Sequence, residues 1–164
     1  MHKGKQELNQ ADPSADWPAV NFDIKTTFQG SFVPKKQPAL TVDAVIFDRH
    51  DRLLLIRRKN PPFKGRHALP GGFVEVGETV EAAAARELME ETGLKAKSQR
   101  LIGVYSDPKR DPRGHTVSVA FLMEATGTPK GGDDATSAEF MADWRTKKLA
   151  FDHAKILADA LSMK

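Results

Sequence analysis

The sequence predicts an α/β domain in which a mixed sheet is flanked by helices. Three observations lead there. Apolar, β-branched runs recur from Leu40 onward, only two segments carry helical periodicity, and strands and helices do not alternate as a doubly wound parallel sheet requires. With 164 residues the chain has room for one domain and an extension, and enough apolar side chains for a proper core.

Residues 1–38 are polar and turn-rich, with NQADPSADWP followed later by FVPKKQP, and only DIKTTFQGSF between them alternates like a strand. They are expected to form an N-terminal extension, partly flexible, with one edge or dimer-contact strand. Residues 39–164 are expected to form the domain proper. ALTVDAVIFD and DRLLLIRRK are strand-like runs joined by the turn DRHD, which suggests a hairpin. NPPFKG reads as a loop, RHALP as a short strand, and PGG as a break before a helix over residues 79–94. RLIGVY and HTVSVAFLMEA are strands separated by the long loop SDPKRDPRGH. GTPKGGDDAT is another loop and AEFMADW a short strand and turn. In FDHAKILADALSMK, Asp152 is the expected N-cap of a helix whose apolar stripe is Ile156, Leu157, Ala160 and Leu161.

A formal charge of +3 and a pI near 9.2 suit an anionic ligand but fall short of the concentrated basic stripe of a nucleic-acid binder, so no nucleic-acid partner is expected. No apolar run approaches the roughly 18 residues of a membrane span, and MHKGKQELNQ lacks the apolar core of a secretion signal. No membrane partner and a cytoplasmic location are expected. The chain has no cysteine, which removes disulfides, thiolate metal sites and cysteine nucleophiles together. Any metal must be held by oxygen or histidine.

The helix from residue 79 poses the question of function. At about 100° per residue, Glu87, Glu90 and Glu91 point into one sector. A solvated charged face is the ordinary explanation for acids on a helix, but such faces interleave signs, because like charges at three- and four-residue spacing cost about 0.2–0.5 kcal/mol per pair. Glu87 has Ala83, Ala84, Glu90 and Glu91 at those offsets; Glu90 has Arg86, and Glu91 has only Lys95, beyond the expected C-cap Gly93. Val80, Ala84 and Leu88 form a stripe beside the acids, with Ala82, Ala85 and Met89 opposite, so the helix is expected to be largely packed. Carboxylates crowded on a packed helix call for a cation, and a hard divalent ion, magnesium first, is the natural one. Gly71, Gly72 and Gly77 permit a tight loop whose backbone can approach a metal or phosphate before the chain enters the helix at Thr79.

Gly72, five residues, Glu78, seven residues, then Arg86-Glu87-Leu88, one residue, Glu90-Glu91, one residue, and Gly93-Leu94 resembles the complete box of the Nudix hydrolases, with every defined position filled. The resemblance implies a Nudix-type α/β/α sandwich around a mixed sheet, and metal-dependent hydrolysis of a nucleoside diphosphate linked to another group. It implies that Glu87 and Glu91 are principal metal ligands, Glu90 a direct or water-mediated one, Gly71 a carbonyl ligand, Arg86 an orienting partner for the acids, and Glu78 a supporting acid. Magnesium is the implied cofactor, with manganese as the alternative. Such a site neutralises a diphosphate and acidifies a bound water that attacks phosphorus.

Outside the box, TVDAVIF, LLLIRRKNPPFKG, VYSDPKRDPRGHTVSVAF, GGDDA and LAFDHAKIL resemble the ADP-ribose pyrophosphatase branch and its regulator relatives. The implied reaction is ADP-ribose plus water giving AMP and ribose 5-phosphate; a small nucleotide substrate and a homodimer are the expected partners. Arg57, Arg58 and Lys59 end a strand, and Arg110, Arg113 and His115 lie in a loop entering another, so these basic groups suit an anionic substrate. Arg57, Arg58, Arg113 and His115 are the candidates to meet it, Arg58 and Arg113 foremost because a guanidinium grips phosphate oxygens with two parallel bonds. By resemblance the GGDDA loop adds an acid, Asp134 rather than Asp133; an ordinary turn is the competing reading. Phe151, Asp152 and His153 read as a capped helix start rather than as catalytic groups, and Trp17 and Trp144 as core or adenine-stacking residues. One departure from the resembled branch stands out: its sequences tend to have tryptophan two residues before Leu-Pro-Gly-Gly, where this chain has His67. Two other readings compete: a broader nucleoside diphosphate sugar or nucleotide pyrophosphohydrolase, and a non-catalytic ADP-ribose sensor. Intact box acids, and the lack of room after residue 161 for a DNA-binding module, favour the enzyme.

Overall fold

The computed structural model describes residues 37–131 and 135–164, so the expected N-terminal strand, Trp17, Asp133 and Asp134 lie outside the described residues. Strand β1 (Ala39–Val45) runs parallel to β5 (Thr116–Thr126), whose other edge pairs antiparallel with β4 (Lys95–Tyr105). Strand β2 (Leu53–Arg58) lies between the short β3 (His67–Ala68) and β6 (Ala135–Met141), antiparallel to both. One sheet is therefore mixed and the other antiparallel.

The expected β1–β2 hairpin forms only at its turn. Asp48 N–H meets Arg52 O at 3.0 Å and Leu54 N–H meets Ile46 O at 2.9 Å, after which the strands part into different sheets. The reason lies on the free edge of β1, which the glycine loop occupies instead. Val42 N–H donates to Gly72 O (2.9 Å), Ala44 N–H to Pro70 O (2.8 Å), and Val74 N–H to Leu40 O (3.0 Å). With β5 on one edge and residues 70–74 on the other, β1 has no ladder groups left for β2.

Successive side chains of a strand face opposite ways, and the two faces of β1 and β2 build two cores. Val42, Ala44, Ile46 and Leu54 pack with Phe121 and Met123 against Ala83, Ala84 and Leu88 of helix α1 (Val80–Thr92). Val45, Leu53 and Leu55 pack with Tyr105, Ala120 and Trp144 against Ile156, Leu157 and Ala160 of helix α2 (His153–Ser162). The result is an α/β/α sandwich. Trp144 belongs to its α2-side core, edge-on to Phe47 at 5.8 Å. His67 is half-buried in β3; its carbonyl accepts from Ala150 N–H at 2.8 Å, and burial, then the charges of Lys147 and Arg57, lower its pKa.

Helix α1 starts where Thr79 accepts from Ala82 N–H at 3.1 Å, and stops at Gly93, whose φ of 69° suits glycine and turns its N–H back to Met89 O. Its packing is one-sided. Ala82 and Met89, expected to be covered, are exposed, because α1 lies on the sheet by its Ala83–Ala84–Leu88 face and turns the other to solvent. Among the described residues no helix is long and apolar enough to cross a membrane.

Ile156 is fully buried, so Ile156→Ala is expected to lower unfolding free energy by about 2–5 kcal/mol in urea titrations, whereas the partly exposed Leu161→Ala is expected to lower it by less than about 1.5 kcal/mol.

Candidate active site

The acids of α1 are organised around one guanidinium. Arg86 Nη2 and Nε donate to the two oxygens of Glu78 at 2.7 and 3.2 Å, while Nη1 reaches Glu87 Oε1 at 2.9 Å and Glu90 Oε2 at 3.1 Å. Nη2 also donates to Phe73 O at 3.0 Å, tying the helix to the glycine loop. The bonds donated to Glu78, above all, raise the Arg86 pKa despite partial burial, and the same contact holds Glu78 below the usual carboxylate range. Glu78 further accepts from Glu75 N–H at 2.8 Å, which closes the turn ahead of Thr79.

Glu91 is buried at 7% exposure and accepts from Gly71 N–H at 2.9 Å. In a ladder the N–H and carbonyl of one residue point to the same side. Pro70 and Gly72 direct their carbonyls at β1, and the Gly71 N–H between them faces α1. A Cβ on Gly72 would overlap the Glu87 carboxylate, which would have to move aside, whereas one on Gly71 would overlap the Val42 carbonyl of β1, backbone that cannot yield.

These groups form one wall of a cavity of about 360 Å³ that includes Gly71, Gly72, Glu87 and Glu91. Glu90 is half exposed, leans on Arg86 and does not line the cavity. As the side chains stand, no three carboxylates or imidazoles among the described residues converge into a metal cluster, since Glu87 and Glu90 contact Arg86 and Glu91 contacts the Gly71 amide.

The far wall holds the arginines. Arg58 donates to Pro62 O at 2.9 Å and lies 4.9 Å from the Phe151 ring centroid. Arg113 is held by Asp111, with contacts of 2.7 to 3.2 Å, and lies 5.4 Å from the Phe73 ring and 5.7 Å from the Phe151 ring. Both line the cavity. Arg57 and His115 do not. Strand alternation turns Arg57 away from Arg58, and it donates to Gly65 O at 3.2 Å; exposed His115 contacts Ser106 O at 3.2 Å.

The floor is a buried polar network that local sequence patterns do not reveal. Asp43 Oδ2 accepts from Ser118 Oγ at 2.5 Å and from Arg110 Nη2 at 3.4 Å, and Asp43 Oδ1 lies 3.2 Å from His153 Nε2. His153 Nδ1 accepts from Leu69 N–H at 2.9 Å, which places the ring proton on Nε2. Burial alone would raise the Asp43 pKa, but His153, Ser118 and Arg110 hold it below its ordinary value. Asp152 occupies the N-cap position of α2 without capping it; its carboxylate instead takes two bonds from Arg110, at 2.7 and 3.0 Å. The visible signal for this floor is an aspartate inside the apolar run TVDAVIF, an acid that must find partners wherever the strand is buried.

The NUDIX domain family model matches residues 37–160. The chain belongs to this family. An ADP-ribose pyrophosphatase of Methanocaldococcus jannaschii is 55% identical over 128 residues, 77% of this chain and 75% of that protein. The ADPR responsive transcriptional repressor NtrR of Acinetobacter baylyi is 32% identical over 156 residues, 87% of this chain and 62% of the repressor. Among solved structures, the NUDIX domain of Shewanella oneidensis NrtR in complex with ADP ribose superposes with a TM-score of 0.74 at 30% identity, covering 81% of this chain and 94% of that one.

The acidic wall of this Nudix domain fits a hard divalent cation. It offers oxygen donors only, and Arg86 is the single basic residue in a helix carrying Glu81, Glu87, Glu90 and Glu91. Glu87, Glu91 and the Gly71 carbonyl would hold such an ion.

Asp43 and Asp111 both have lowered pKa values in the fold, so their stabilisation is complete above the ordinary value of 3.8 and is lost as pH falls from there through the lower folded values. Thermal unfolding followed from pH 6 to pH 2.5 is expected to show a steep acid limb below about pH 4, shallower in Asp43→Asn.

Proposed function

We propose that the chain hydrolyses the diphosphate of ADP-ribose, giving AMP and ribose 5-phosphate. The observation that carries this reading is a single cavity lined both by an all-oxygen acidic wall on α1 and by Arg58 and Arg113, with the Phe73 and Phe151 rings against those guanidinium groups. A diphosphate spans the acids and the arginines, and the rings suit a base or ribose face. The ADP-ribose pyrophosphatase relative and the ADP-ribose-bound neighbour support the same substrate.

Within that reading, Arg58 and Arg113 bind the phosphates, and Phe151 and Asp111 hold those guanidinium groups in place. Arg86 orients Glu87 and Glu90, and the Gly71 amide orients Glu91. A bound divalent ion, which we take to be magnesium with manganese as the alternative, would neutralise the diphosphate and acidify the attacking water. One of the box glutamates, or Asp134, takes the proton of that water. We place the domain boundary near residue 38, take the enzyme to be a homodimer, and place it in the cytoplasm. The repressor relative favours a second reading, a sensor that binds ADP-ribose without cleaving it; the filled box favours the enzyme.

Glu87→Gln and Glu91→Gln are each expected to lower turnover at least about a hundredfold, roughly 3 kcal/mol, when AMP release from ADP-ribose is followed with magnesium present. Near-normal turnover in either variant would remove that residue from the site, and no cleavage by the wild type would leave the sensor reading.

Arg58→Ala and Arg113→Ala are expected to raise KM while circular dichroism shows the fold retained. Unchanged KM in both would show that the phosphates bind elsewhere.

A further inference from the structure

We propose that His153 is a positioning residue for the acidic wall, acting through the backbone of residue 69; the inference rests on the reading of Glu87, Glu91 and Gly71 as the divalent-ion site. The loop that meets α1 is fixed along β1 by the hydrogen bonds from Val42, Ala44 and Val74. Its entry is fixed from the floor of the same cavity, where the Leu69 N–H donates to His153 Nδ1 at 2.9 Å across 84 positions of chain. Two residues later the Gly71 N–H holds Glu91, and one further on Gly72 lies against Glu87.

The imidazole is itself locked. It is 4% exposed, and its Nε2–H faces Asp43 Oδ1 at 3.2 Å, while the other Asp43 oxygen accepts from Ser118 and Arg110. An imidazole with one acceptor and one donor nitrogen can bridge a backbone N–H to a carboxylate; a hydrocarbon of the same size can do neither. Asp43 thus sets the ring, the ring sets residue 69, and residue 69 sets the height at which Gly71 and Gly72 meet the two glutamates. Supports of this kind, one shell behind the ligands, typically alter metal affinity or activity by about 10–100-fold.

Two conservative variants separate the contacts. His153→Asn keeps an acceptor near the Nδ1 position for Leu69 N–H, and His153→Gln keeps a donor near the Nε2 position for Asp43 but leaves Leu69 N–H unanswered. Binding of Mn²⁺ without substrate, followed by calorimetry and electron paramagnetic resonance, is expected to be within about threefold of wild type in His153→Asn and about 10–100-fold weaker in His153→Gln. On ADP-ribose at saturating Mn²⁺, His153→Gln is expected to lower kcat with KM changed less. Equal affinities in both variants, or the reverse order, would overturn the inference. In the wild type, the ¹⁵N shifts of His153 are expected to show a neutral ring protonated on Nε2; protonation on Nδ1 would overturn the inference even if neither variant folds. Wild-type protein that binds Mn²⁺ with the expected variant order but leaves ADP-ribose intact would refute the substrate assignment alone. Wild-type protein that binds no Mn²⁺ would remove the ion-site reading and this inference together.

Discussion

One guanidinium among several carboxylates is the constraint around which the molecule is arranged. Arg86 touches Glu78, Glu87, Glu90 and the Phe73 carbonyl, so the turn before α1, the helix and the loop along β1 share one charged node. Within α1 Arg86 is the single basic residue beside four glutamates, and burial makes the Glu91 carboxylate more costly to leave unbalanced than it would be in water. The suitability of this wall for a cation follows from that composition. Its position follows from the tie to Phe73, which keeps the carboxylates beside glycine backbone rather than among side chains.

The opposite wall works by a different balance. Arg113 and Arg110 each meet aspartates, Asp111 in one case and Asp152 with Asp43 in the other. Such pairing weakens the cationic field but fixes the direction of the guanidinium, and a bidentate grip on phosphate depends on direction. The difference in burial separates their roles. The Arg110 side chain is 4% exposed and braces the floor, while that of Arg113 is 44% exposed and stays open to the cavity between two aromatic rings.

Much of this was legible in the sequence because it is local. The caps Thr79 and Gly93, the run of acids at helical spacing, the glycines ahead of them and the apolar stripe of α2 all depend on offsets of a few residues, and offsets are what helix and turn geometry translate into direction. Arg58 could be picked out as a strand-end cation. Its neighbour Arg57 could not be set aside until the register of β2 with β3 was known.

The sequence alone therefore determined the Nudix box, the helix that presents it and the kind of ion that suits it. Only the tertiary structure decided that residues 70–74 take the edge of β1, that Asp152 serves Arg110 rather than its helix, and that Asp43, Ser118, His153 and Leu69 meet. The physical reason is one of range. Periodicity fixes which side of an element a residue occupies, but a contact across 75 or 84 positions exists only once the sheet order and packing have closed the loops between them.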